Sequence, residues 1–147
     1  MEFAIVGAAA LTVLIGCIEI GRMLFVWNSV GEATRRAARL AAICPVNDPA
    51  ILRAALLNAT GADIPSSAYL YGLTPSNVSL TYLNSAGAST AVFADIAFVR
   101  VAITGYVHTL LIPFVSPQIT VPAFSTTLPT ESLGYIPETG LRVCLAG

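Results

Sequence analysis

From Phe3 to Ile18 the chain is apolar at almost every position and carries no charge. Polar residues return after Ile18, and they return at helical spacing. With Glu32 set at 0° and about 100° added per residue, Arg35, Arg36 and Arg39 fall within about 60° of it. The opposite arc holds Val26, Val30, Ala33, Ala37, Leu40, Ala41 and Cys44, a narrow stripe of small apolar side chains. No proline interrupts Met1 to Cys44, and Pro45 then disfavours helical geometry in the residue before it. The pattern predicts one unbroken helix of roughly 60 Å at about 1.5 Å per residue. A bilayer core takes up only about 30 Å of such a rod. Its first half suits lipid, and its second half suits a packed layer.

The junction is also legible. Glu19 and Arg22 are spaced to pair on one helix face, Arg22 can extend toward headgroups, and Trp27 has the amphipathic ring favoured at membrane interfaces. We therefore expect Glu19, Arg22 and Trp27 to mark the membrane boundary. Residues 1–27 then form the membrane half of the helix, and 28–147 an extramembrane domain. Glu32 precedes Arg36 by four, the favourable orientation for a helix pair. The charged face of Glu32, Arg35, Arg36 and Arg39 reads first as a solvated surface, with anionic lipid or a neighbouring subunit as the sharper alternative.

Beyond Pro45 the pattern shortens. Asp48-Pro49 is a helix start, with Asp as cap and Pro at the first helical position, and Gly61 is the expected stop. Ile64–Asn77 reads as loop. Val78, Leu80 and Tyr82 alternate with polar neighbours, predicting a half-buried strand over Asn77–Leu83. Ile96–His108 is the clearest strand, with Val99, Val101, Ile103 and Val107 on one face. Arg100, Thr104, Tyr106 and His108 take the other. Gln118–Leu128 is a third strand, placed at an edge by Pro122, and Leu141–Leu145 a fourth. So small a sheet cannot bury its apolar face alone, and the alanine-rich stripe is its natural cover.

Composition sharpens the picture. Of 147 residues, 56% are hydrophobic and only 10% charged, with a net charge of −1 and a mean hydropathy of +0.79. That is too apolar for an ordinary soluble domain, and the charge disfavours a nucleic-acid surface. Cys17 lies in the apolar run, whereas Cys44 and Cys144 bracket nearly all of the chain beyond the long helix. If the bracketed part is exported, those two are the natural disulfide pair, with two free thiols as the alternative. "LIGC" at Leu14–Cys17 resembles a lipoprotein acylation site, but the chain continues apolar and helical rather than into a polar tether. A cleaved signal peptide fits poorly, because Met1-Glu2 offers no basic start.

Catalytic chemistry finds little support. His108 is the sole imidazole, lysine is absent, and Asp48, Asp63 and Asp95 stand apart. No phosphate-binding glycine loop or metal-ligand spacing is present in the sequence. His108, on the polar side of its strand, is expected to be solvated or hydrogen-bonded. We expect no enzyme, no cofactor, no metal and no small-molecule substrate.

The order of these features resembles the TadE-like pseudopilins of the tight-adherence (Tad) branch of type IV pili. The resemblance rests on "EFAIV" (Glu2–Val6), the apolar run, "IEIGRMLFVWNSVGEATRRAARLAA" (Ile18–Ala42) and cysteines at 44 and 144, with a weaker likeness in "VRVAITGYVHTLLIPF". It implies an α+β, pilin-like fold: a long N-terminal α-helix, transmembrane in its first half, packed on a small antiparallel sheet. It implies a minor pilin or pseudopilin that supports surface adhesion without catalysis, with Glu2 and Phe3 in subunit assembly. The partners would be other pilin subunits, the pilus assembly platform and inner-membrane lipid. A single-pass anchored periplasmic binding module that never enters a filament is the alternative.

Family members carry a short basic leader ending in a small residue. Only Met1 precedes Glu2 here, so we expect a leader to be missing from a truncated sequence or a late start codon. Arg22, Arg35, Arg36 and Arg39 taken alone would place the C-terminal side in the cytoplasm. The resemblance implies the reverse, and an oxidising compartment for Cys44 and Cys144 agrees with it.

Overall fold

The structure, a computed structural model, describes residues 2–57, 66–67, 69–111 and 117–144. Helix α1 (Glu2–Ile43) runs without a break, as the proline-free sequence predicts. Pro45 and the turn behind it lead to helix α2 (Pro49–Ala55). The Asp48 carboxylate accepts the Ala50 N–H at 2.8 Å, with Pro49 at the first position. This helix ends earlier than the sequence suggests, because Leu57 turns left-handed at φ 54°. The expected stop at Gly61 lies outside the described residues.

Strands β1 (Val78–Leu83), β2 (Phe98–Ile103) and β5 (Phe124–Pro129) form an antiparallel sheet in the order β1-β2-β5. Leu80 stands opposite Val101 and Tyr82 opposite Val99, while Val99 and Val101 face Leu128 and Thr126 across the other edge. Strands β3 (Val107–Thr109) and β4 (Gln118–Thr120) make a separate two-stranded ladder.

Three sequence expectations need correction. The strand expected over Ile96–His108 breaks after Ile103, where Gly105 adopts φ 66° and turns the chain out of the first sheet. The turn also exchanges the faces. Val107 is 40% exposed, while Tyr106 and His108 are buried. The strand expected over Gln118–Leu128 is likewise two strands, separated at Val121–Ala123 around Pro122. Third, the segment at Leu141 contributes no strand among the described residues, only a single bridge between Tyr135 and Arg142.

The alanine stripe covers the sheet as predicted. Ala33, Ala37, Ala38 and Ala41 are fully buried, and Leu40 packs at the edge. Toward the end of α1 they meet Ile51, Ala55, Tyr82, Val99 and Val101. Nearer the bare half of α1, Val26, Val30 and Ala33 pack with Leu56, Leu70, Leu73, Ile103 and Tyr106. Small side chains allow the close approach. Thr126 donates to the Thr34 hydroxyl at 3.1 Å, and Thr34 in turn donates to the Gly31 carbonyl at 2.8 Å.

The C-terminal segment closes the far end of α1. Helix C-termini leave carbonyls without intrahelical partners. Here Ala42 O accepts from Glu131 N at 2.9 Å, and Ile43 O accepts from Gly134 N at 2.6 Å and Ser132 Oγ at 3.2 Å. A disulfide joins Cys44 to Cys144, 100 residues apart. Arg142 lies 3.9 Å over the Phe93 ring, a cation–π contact that fastens the segment to the neighbouring turn.

Candidate functional site

The first half of α1 is bare. An 18-residue window reaches a mean hydropathy of 2.3 with only 6% of it buried, long and apolar enough to cross a membrane. Phe3 is 91% exposed, and Ile5, Val6, Leu11, Val13 and Ile18 are exposed with it. Glu2 stands in the first helical turn, where the helix dipole favours an acid. It has no ion-pair partner among the described residues. Cys17 is a free, exposed thiol on this half.

At the junction the structure adds a partner that no spacing rule could supply. Glu19 is buried beneath the domain. Its Oε1 accepts from Arg22 Nη1 at 2.6 Å, and its Oε2 accepts the Leu111 backbone N–H at 3.0 Å. The Glu19–Arg22 pair was visible as an i, i+3 spacing. The Leu111 bond was not, because any residue at position 111 offers the same N–H. Trp27 is half-buried against the inner cluster, with its indole nitrogen buried and without a hydrogen-bond partner among the described residues. Glu19, Arg22 and Trp27 thus sit where the domain meets the helix.

The charged face lies further along α1. Glu32 accepts from Arg36 Nε at 3.0 Å and Arg35 Nε at 3.1 Å. The Arg36 hydrogen bond, followed by that of Arg35, holds the Glu32 carboxyl below its usual range. All three side chains remain open to water, where such pairs contribute little stability. Arg39 is exposed and unpaired among the described residues.

His108 departs from expectation. It is 6% exposed, and its Nε2 is buried without a hydrogen-bond partner among the described residues. The Gly105 turn accounts for its inward position. Among the described residues, no three His, Cys, Asp or Glu side chains gather into a metal-binding group.

The arrangement is a bare apolar helix half, continuous with the half that packs on a small sheet, with one carboxylate near its N-terminal end. Comparison with known proteins bears on that helix. Residues 1–39 match the family model described as TadE-like protein. That segment spans the bare half of α1, the Glu19–Arg22 pair and the charged face. No curated protein and no solved structure matches the chain.

Proposed function

We propose that this TadE-like chain is a membrane-anchored minor pilin or pseudopilin of a tight-adherence pilus, acting by assembly rather than catalysis. The observation that carries the reading is the single helix, apolar and uncovered through its first half and buried under a sheet through its second. An isolated subunit can satisfy the first half only with lipid. In a filament, the helices of neighbouring subunits would replace that lipid.

In this reading residues 1–27 lie in the bacterial inner membrane and residues 28–147 in the periplasm, where the Cys44–Cys144 disulfide suits the redox conditions. A carboxylate at the end of an apolar helix is costly in lipid unless paired or near water. Glu2 would gain its partner on assembly, from the N-terminal amine of a neighbouring subunit, and so set the stagger between subunits, with Phe3 packing beside it. The partners are pilin-type subunits and the assembly platform.

Glu2→Ala is expected to leave the protein in the membrane fraction and to remove it from sheared, purified pili. Normal incorporation of the variant refutes the assembly role of Glu2. Native chain that stays in the membrane and never enters pili would instead be an anchored periplasmic module.

A further inference from the structure

The uncharged run from Phe3 to Ile18, bounded by Glu2 and Glu19, supplies about 24 Å of helix. A bilayer core of about 30 Å needs about four residues more, which carries the span to Arg22. Yet Glu19 already holds the extramembrane domain through the Leu111 N–H. The domain therefore reaches down alongside α1 to a level inside the span that the bilayer requires. The side chains at that level are suited to it. Leu111 is 65% exposed, and Tyr69 and Tyr71, 73% and 97% exposed, share one recess with Arg22 and exposed Phe25 on the helix.

From this placement we infer that the base of the domain is seated in the interfacial layer of the bilayer, through Leu111, Tyr69 and Tyr71, rather than standing clear of it on the helix. The occupant of this surface is phospholipid. Trp27 is half inside the inner core, whereas the loop tyrosines beside Phe25 are open and supply the interfacial aromatics in its place. Between them and α1 opens a recess of about 560 Å³, lined by Arg22, Phe25, Tyr71, His108 and Gln118 among others. Its mixture of guanidinium, aromatic and amide groups suits headgroups rather than acyl chains. The Glu19–Arg22–Leu111 clamp fixes the depth at which the domain sits.

The inference rests on the membrane-spanning reading of α1, and its test separates the two. Nitroxide labels are placed singly at Leu11→Cys, Tyr71→Cys, Leu111→Cys and Ala86→Cys in the full chain. Cys17→Ser removes the free thiol, and the disulfide is left intact. The protein is reconstituted in vesicles of phosphatidylethanolamine and phosphatidylglycerol, and each label is scored for accessibility to oxygen against a water-soluble nickel chelate.

The expected order places position 11 as most oxygen-favoured, 86 as most nickel-favoured, and 71 and 111 between them on the oxygen side. Labels at 71 and 111 as open to nickel as that at 86, with 11 still protected, overturn the seating while the helix still spans. A nickel-exposed label at 11 removes the spanning reading and the inference together.

Discussion

At φ 78°, Gly134 turns the chain beneath the end of α1, where a Cβ would stand 2.6 Å from Pro45 Cγ and Cδ and 2.9 Å from its nitrogen. Neither the backbone angle nor the space admits a side chain, and the Gly134 N–H is committed to Ile43 O. Gly134→Ala is expected to cost about 2–4 kcal/mol, read as a lower denaturant midpoint. Gly31 lies in the helix interior, and a Cβ there would meet the Phe124 ring at an ordinary 3.7 Å. Gly31→Ala should therefore gain up to about 1 kcal/mol from helix propensity. A loss of stability at Gly31 would show that the helix and β5 are too close to admit a methyl group.

Tyr82 gives a pH-dependent counterpart. Its burial raises the phenol above its ordinary range, outweighing the Asn47 N–H that its oxygen accepts at 3.0 Å. A folded value above the unfolded one means a contribution fully present below about pH 10 and lost as pH rises through the folded value. Stability should fall more steeply above about pH 10 in the wild type than in Tyr82→Phe. Tyr106, raised by burial in the same direction, adds to that slope in both proteins.

At the scale of elements, α1 is a spine whose small side chains set its distance from the sheet. Ala37→Leu would force a larger group into a site with no free surface, at a cost of about 1–3 kcal/mol. The same change at Ala9, which is exposed, should leave thermal stability of the protein unchanged. Equal effects at both positions would mean that the stripe does not carry the packing.

This stripe was legible because the helical repeat places its members on one arc, and the Asp48-Pro49 start because both side chains act on their own backbone. The face of β2 was legible as far as Ile103 for the same local reason. What alternation could not show is where a strand leaves its sheet. Val107 keeps the phase of Ile103 in the sequence, but the left-handed Gly105 reverses it in space and buries Tyr106 and His108 instead. The junction was half legible. Arg22 could be paired to Glu19 by spacing, whereas Leu111 contributes only a backbone N–H, which has no sequence identity.

For the molecule as a whole, the two ends of α1 face opposite requirements. The first is apolar and bare, and Glu2 has no ion-pair partner among the described residues, as the proposed transfer into an assembly would require. The second is closed three ways: by the sheet, by hydrogen bonds from residues 131–134, and by the disulfide. These closures are separable. Cys144→Ser frees a loop of about 100 residues in the unfolded chain, worth about 3–5 kcal/mol in the chain-entropy model.

The sheet and α1 share a core that contains no part of residues 135–143. Amide exchange in Cys144→Ser should therefore accelerate first around Gly134 and Val143, whose N–H groups are held by Ile43 O and Gly134 O. Amides of β1 and β2 should slow or quicken only with global stability. Uniform acceleration across β1, β2 and the C-terminal segment would mean that the tie is integral to the core rather than a latch on the end of the helix. The latch would then have no independent role in keeping the domain fixed to its anchor.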